Sequence, residues 1–154
     1  MLNTISLLHP TFFREGGPCA VRDAWLSLAK FPERIEYLFA VTSTDGRAMT
    51  ETLDENRIVV EPTELHSTSV QNWNALAERS TGDLIFVIAD DLTPLNWGWD
   101  EEIDKLTRFF PPRNKGFVIK IDDNGNPFDT QLRHPLVSRK HYWGAAEFSD
   151  SSFG

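Results

Sequence analysis

Two adjacent carboxylates, Asp90 and Asp91, follow the apolar run Leu84-Ile85-Phe86-Val87-Ile88 and precede Leu92-Thr93-Pro94, so a buried segment surfaces at an acidic pair. Hard divalent cations such as Mg²⁺ and Mn²⁺ prefer oxygen ligands and keep further positions for diphosphate oxygens, which is the chemistry such a pair suits. Aspartates at such points also cap turns and helix N-termini, and the pair alone does not separate these roles. His134 is a candidate further metal ligand, while a lone histidine before proline also reads as a loop or edge residue. His9, His66 and His141 share no ligand spacing. Arg133, Arg139 and Lys140 are either cations for diphosphate oxygens or a solvated basic face. Trp97 and Trp99, just past the carboxylates, suit stacking on a sugar ring or packing in a core. Gly16-Gly17 has neither the lysine nor the glycine spacing of a phosphate-binding loop, and Ser6 and Ser43 have no visible histidine partner for a hydrolase triad.

These groups need elements to hold them. Thr4 to Leu8 reads as a strand stopped at His9-Pro10, because proline cannot donate to a sheet ladder. From Pro18 to Phe31, Val21, Ala24, Trp25 and Leu28 recur at helical spacing, and Pro32 closes the pattern. Ile35 to Val41 and Arg57 to Val60 are β-rich, the first ending in the turn-forming Thr42-Ser43-Thr44-Asp45-Gly46. The stripe Val70, Trp73 and Ala77 marks a helix from Ser67 to Arg79, opened by a capping box at Thr68 and Gln71 and closed near Gly82. Leu84 to Ile88 lacks alternation, as a strand covered on both faces of a parallel sheet does. Trp99, Ile103, Leu106 and Phe110 mark another helix, ended by Pro111-Pro112. Gly116 to Ile121 reads as a strand, with a turn over Asp123 to Pro127 and an antiparallel return near Phe128 to Val137. The alternation predicts an α/β fold with a mainly parallel sheet, and such sheets bind ligands at the carboxyl ends of their strands.

Asn74, then Thr81-Gly82-Asp83 leading through the apolar run to Ala89-Asp90-Asp91, Pro94 and Trp99-Asp100, resembles the central segment of family 2 glycosyltransferases of the GT-A fold. Ile5-Ser6-Leu7-Leu8-His9-Pro10-Thr11 resembles that family's first strand and Pro-Thr loop, and Ser43-Thr44-Asp45 its Ser-Thr-Asp after the second strand. The resemblance covers nearly the whole chain. It implies a GT-A-like, Rossmann-like three-layer α/β sandwich over residues 1–154 as one domain, whose acceptor-binding C-terminal part is short or missing. It further implies a glycosyltransferase that moves a sugar from a nucleotide diphosphate sugar to an acceptor hydroxyl. The donor contacts it implies are Pro10, Thr11, Asp45, Asn74, Asp90 and Asp91, with Mn²⁺ or Mg²⁺ at Asp90 and Asp91 and His134 as the further ligand weighed above. Ile88 stands where the first carboxylate of the usual DxD motif is found, and Ala40 and Val41 replace the acidic pair that often ends the second strand. Glu147 and Asp150 are the acidic residues of the last stretch, and neither matches a general-base motif, so no catalytic residue is assigned. A nucleotide-sugar-binding domain without turnover and a nucleotidyltransferase are the rival expectations.

Fifteen Lys and Arg against twenty-three Asp and Glu give a net charge of -8, which disfavours nucleic acid and anionic membrane surfaces as partners. One cysteine, Cys19, excludes an internal disulfide and a multi-cysteine zinc site, and suits a small buried residue. With no leader-like or bilayer-spanning apolar run, the expected setting is cytoplasmic.

Overall fold

Strands and helices alternate through residues 2–61, 68–122 and 133–144, the residues that the computed structural model describes. The order is β1 (Ile5–Thr11), α1 (Pro18–Ser27), β2 (Ile35–Thr42), α2 (Gly46–Glu51), β3 (Arg57–Val60), α3 (Ser69–Arg79), β4 (Leu84–Val87), α4 (Trp99–Thr107), β5 (Val118–Ile119), β6 (Leu136–Ser138) and α5 (Arg139–Gly144). The strands form one sheet in the order β3-β2-β1-β4-β6-β5. Pairing is parallel from β3 through β4 and antiparallel where β6 meets β4 and β5. The expected α/β chain with a mainly parallel sheet is therefore observed.

All four residues of β4 are buried, as its lack of alternation requires. Leu84, Phe86 and Ile88 join a core cluster with Val21 and Trp25 of α1, Ala48 of α2 and Ile103 of α4. Ile85 and Val87 join a second cluster with Trp73, Leu76 and Ala77 of α3 and Tyr142 of α5. The two-residue period of a strand sends successive side chains to opposite faces, so each β4 residue alternates between the clusters. Gly82 leads into β4 where a Cβ would come within 2.5 Å of Ser6 Oγ and 2.7 Å of Ser6 N. The Thr-Gly-Asp turn thus needs glycine for close approach to β1.

The structure departs from the sequence-based boundaries in several places, among them α1, which ends at Ser27 rather than Phe31, and β5, which spans Val118–Ile119 rather than Gly116 to Ile121. Strand β1 does not stop at His9-Pro10 but pairs with β2 as far as Thr11 opposite Val41. Leu84 and Ile88 donate to the Thr4 and Leu8 carbonyls, so even-numbered positions of β1 face β4. Pro10 shares that side beyond the last β1–β4 pair, Leu8 with Val87, and its missing N–H removes no ladder bond. The expected turn after β2 is present at Ser43-Thr44, and an unexpected helix α2 follows it, because Asp45 caps it by accepting from the Ala48 amide. Helix α4 ends at Thr107 rather than Phe110, and α5 follows β6 directly. Strands β5 and β6 pair antiparallel as expected, while the turn over residues 123–127 lies outside the described residues.

The capping box on α3 is present in both directions: Thr68 Oγ1 accepts from the Gln71 amide at 3.2 Å and Gln71 Oε1 from the Thr68 amide at 2.9 Å. Thr68→Ala is expected to cost about 1 kcal/mol. A urea midpoint that falls by that amount at unchanged slope checks it, and no shift would contradict it.

Candidate functional site

The carboxyl ends of β1, β2 and β4 open into a cleft of about 750 Å³. Pro10, Thr11, Phe12, Phe13, Arg14 and Glu15 line it from the loop after β1, Thr42 from the end of β2, Ser69 and Asn72 from α3, and Ala89, Asp90 and Asp91 from the loop after β4. Strand β1 sits between β2 and β4 while its chain connection leads outward to β2, so the cleft lies at the point where the parallel strand order reverses.

Asp90 and Asp91 occupy the centre of a tight turn closed by the Leu92 amide on the Ala89 carbonyl at 3.1 Å. Two indoles hold this turn from opposite faces of the sheet. Trp73 donates from α3 to the Ile88 carbonyl at 3.2 Å, and Trp25 donates from α1 to the Leu92 carbonyl at 2.8 Å. Trp25 is held in turn, its carbonyl accepting from the Trp99 indole at 3.0 Å. Trp25 and Trp73, on the apolar stripes of their helices, are both buried in the core and also anchor the acidic turn. Trp99 is partly buried against the core, whereas Trp97 is exposed with the Lys30 ammonium 5.9 Å from its ring.

The two carboxylates have different surroundings. Asp91 is exposed, lines the cleft and has no hydrogen-bond or ion-pair partner among the described residues. Asp90 is half-buried: Oδ1 meets His9 Nε2 at 2.8 Å, and Oδ2 accepts from the Phe12 amide at 3.1 Å. Burial opposes its charge, but the hydrogen bonds from His9 and the Phe12 amide hold its carboxyl below the usual aspartate range. At the opposite end of β4, Asp83 is similarly depressed, its burial outweighed by the Thr4 amide, Arg113 and the Thr4 hydroxyl. Folded values below the unfolded one mean stability that is full above the unfolded aspartate pKa of about 4 and lost as pH falls through the folded values. Thermal melts are therefore expected to stay level above about pH 5 and drop below about pH 4, with a shallower drop in Asp90→Asn. Melts that fall equally steeply with acid in wild type and variant would contradict this.

Asp45, a donor contact implied by resemblance, is committed to internal bonds. It is 3% exposed, caps α2, and accepts from the Phe13 amide at 2.7 Å. Phe13 has a φ of 46°, a left-handed conformation uncommon for a bulky residue. Asp90 and Asp45 thus clamp successive amides of the β1 loop, Phe12 and Phe13, from the loops on either side. The strained backbone persists because both neighbours over-determine it. The two exposed rings pack edge to face with centroids 4.7 Å apart.

Pro10 and Thr11 line the cleft as anticipated, Thr11 from a buried position. Asn74 sits on α3, but the side chains of that helix lining the cleft are Ser69 and Asn72. His134 packs edge-on against Trp73, with ring centroids 6.5 Å apart. Among the described residues no group of three or more His, Cys, Asp or Glu is placed to hold a metal ion, so His134 is not gathered with the acidic pair. Arg139 is bonded to the Gly82 carbonyl and Ser80 Oγ at the amino end of β4, away from the cleft, and Arg133 and Lys140 do not line it. Cys19 is half-buried and free, its thiol pushed up by burial.

Sequence spacing missed Arg14, His9 and Tyr37. Arg14 lines the cleft as an exposed cation with no partner among the described residues, which suits an anionic ligand. His9 is fully buried, and its Nδ1 lies 2.8 Å from the Tyr37 hydroxyl. The signal of His9 and Tyr37 was positional: the pairing of β1 with β2 and β4 brings Tyr37 to His9 and His9 to Asp90, and only the sheet order puts them there.

No protein-family model matches the sequence, and no curated protein is detectably similar to it. Solved structures are similar in fold. The mannosyltransferase PcManGT from Pyrobaculum calidifontis, in complex with GDP-Man and Mn²⁺, superposes with a TM-score of 0.58 at 13% identity over 97% of this chain and 48% of its own. S. aureus TarS 1–349 in complex with UDP gives 0.61 at 13% identity over 96% of this chain and 51% of its own. This chain has the GT-A-type glycosyltransferase-like fold, and it spans about half the length of these structures. Among the described residues no helix is long and apolar enough to cross a membrane.

Proposed function

We propose that this chain is the donor-binding GT-A-like domain of a glycosyltransferase that moves a sugar from a nucleotide diphosphate sugar to an acceptor hydroxyl. On this proposal the two core clusters are the inner faces of a three-layer sandwich, and residues 1–154 act as one domain in the cytoplasm, which the free Cys19 suits. The supporting observation is the placement of the Asp90-Asp91 turn. Two indoles fix it at the switch point of the sheet, in a cleft it shares with Arg14 and the clamped β1 loop.

The donor set fits Mn²⁺ or Mg²⁺. Asp91 is an uncommitted carboxylate on the cleft, and the two oxygens of Asp90 retain acceptor capacity beyond the bonds from His9 and Phe12. The remaining positions would fall to diphosphate oxygens and water, without His134. A bound divalent cation supplies charge neutralisation as the nucleotide diphosphate leaves. Arg14 shares that task from the other wall, Thr11 and Pro10 face the nucleotide from the end of β1, and Asn72 rather than Asn74 reaches it from α3.

Isothermal calorimetry with GDP and UDP, with and without Mn²⁺, tests the donor site. Saturable, Mn²⁺-dependent binding of one of them is expected, and no binding of either removes the proposal. Release of nucleotide from the matching nucleotide sugar then separates a transferase from a domain that binds without turnover. The second reading stays because, among the described residues, the acidic residues lining the cleft are Glu15, Asp90 and Asp91, and the proposed cation takes up the two aspartates.

A further inference from the structure

Beneath the acidic turn three polar side chains connect a fully buried ring to the cleft. Tyr37 hydroxyl, His9 Nδ1, His9 Nε2 and Asp90 Oδ1 follow one another at 2.8 Å on each side of the imidazole. His9 is 0% exposed and Tyr37 8%, both packed with Phe39. A buried ring in such surroundings is costly unless both nitrogens are satisfied. Ionised Asp90 can only accept, so Nε2 must carry a proton toward it. A neutral ring then leaves Nδ1 as an acceptor, and the Tyr37 phenol is a donor in place to fill it. This single tautomer satisfies all three groups.

We infer that His9 is a positioning residue for Asp90, with Tyr37 satisfying the other ring nitrogen. Nε2–H holds Oδ1 from below the turn while the Phe12 amide holds Oδ2 from the side. With both oxygens held, the plane of the carboxylate is set and its remaining lone pairs are pre-organised on the cleft. Supporting groups of this kind typically change the affinity of the site they orient by about tenfold to a hundredfold. The effect on ligand affinity rests on the donor-site proposal; the tautomer does not.

The test has two arms. Nitrogen-15 spectroscopy of the imidazole in the full chain is expected to show a proton on Nε2, and Tyr37→Phe is expected to keep that proton while shifting the Nδ1 resonance as its hydrogen-bond partner is lost. An unprotonated Nε2 overturns the inference, as does an Nδ1 resonance unchanged in Tyr37→Phe. In the second arm, calorimetry with Mn²⁺ and GDP or UDP compares two variants at His9. His9→Gln keeps an N–H donor near the Nε2 position and is expected to stay within about threefold of wild type, whereas His9→Leu loses about tenfold. A merely structural role would lower the melting temperature without separating Gln from Leu in affinity. Equal affinity in both variants overturns the inference. If the wild type binds neither nucleotide, the donor-site proposal fails, and the tautomer arm alone decides whether His9 orients Asp90.

Discussion

Asp91→Ala is expected to weaken Mn²⁺-dependent binding of the nucleoside diphosphate by about 100-fold or more while leaving the melting temperature nearly unchanged. The carboxylate is exposed and partnerless among the described residues, so its removal breaks no internal bond. Loss of a supporting group already costs up to about 100-fold at metal sites, and loss of a direct ligand should reach at least that level. Asp90→Ala combines the same loss with release of the Phe12 amide and the His9 ring, so it should lower affinity and stability together. Calorimetry paired with thermal melts separates the two profiles. If Asp91→Ala binds as tightly as the wild type, the acidic turn is not the donor site.

Asp100→Ala is expected to cost about 3–5 kcal/mol, a large part of the total for a domain of this size. The Asp100 side chain is fully buried and accepts from the Lys30 amide at 2.7 Å, the Phe31 amide at 3.0 Å, and the Arg34 guanidinium at 3.3 and 3.2 Å. Arg34 is itself 7% exposed at its side chain and shared with Asp104 at 2.6 Å. Removing Asp100 leaves two amides without an acceptor and a buried guanidinium with one carboxylate instead of two. The same contacts fix the start of α4 against the turn before β2, so the residues leading from the acidic turn into α4 should loosen too. Urea unfolding measures the loss; a change below about 1 kcal/mol would mean that Asp104 and water take over the role.

Much of this architecture was legible before any coordinates. The apolar run ending at Ile88 announced a strand dry on both faces, and Thr68 with Gln71 announced the start of α3, because strand burial and helix capping act over a few residues. The acidic pair was likewise visible as a place where that strand must surface, and the GT-A resemblance rested on the order of these local signals. Pro10 misled for the same reason: locally it forbids a ladder bond, and only the end of β4 at Val87 makes that bond unnecessary.

Sequence alone determined the element types, the sheet class and the acidic turn, since each depends on propensities and periodicities among neighbours in the chain. Tertiary pairing decided what the polar residues do. Asp45 became a cap and a clamp, Arg139 turned to the wrong end of the sheet, and His9 met Asp90 across 81 positions of sequence. The partner of a buried polar group is chosen by which strands lie side by side, and no local spacing encodes that choice.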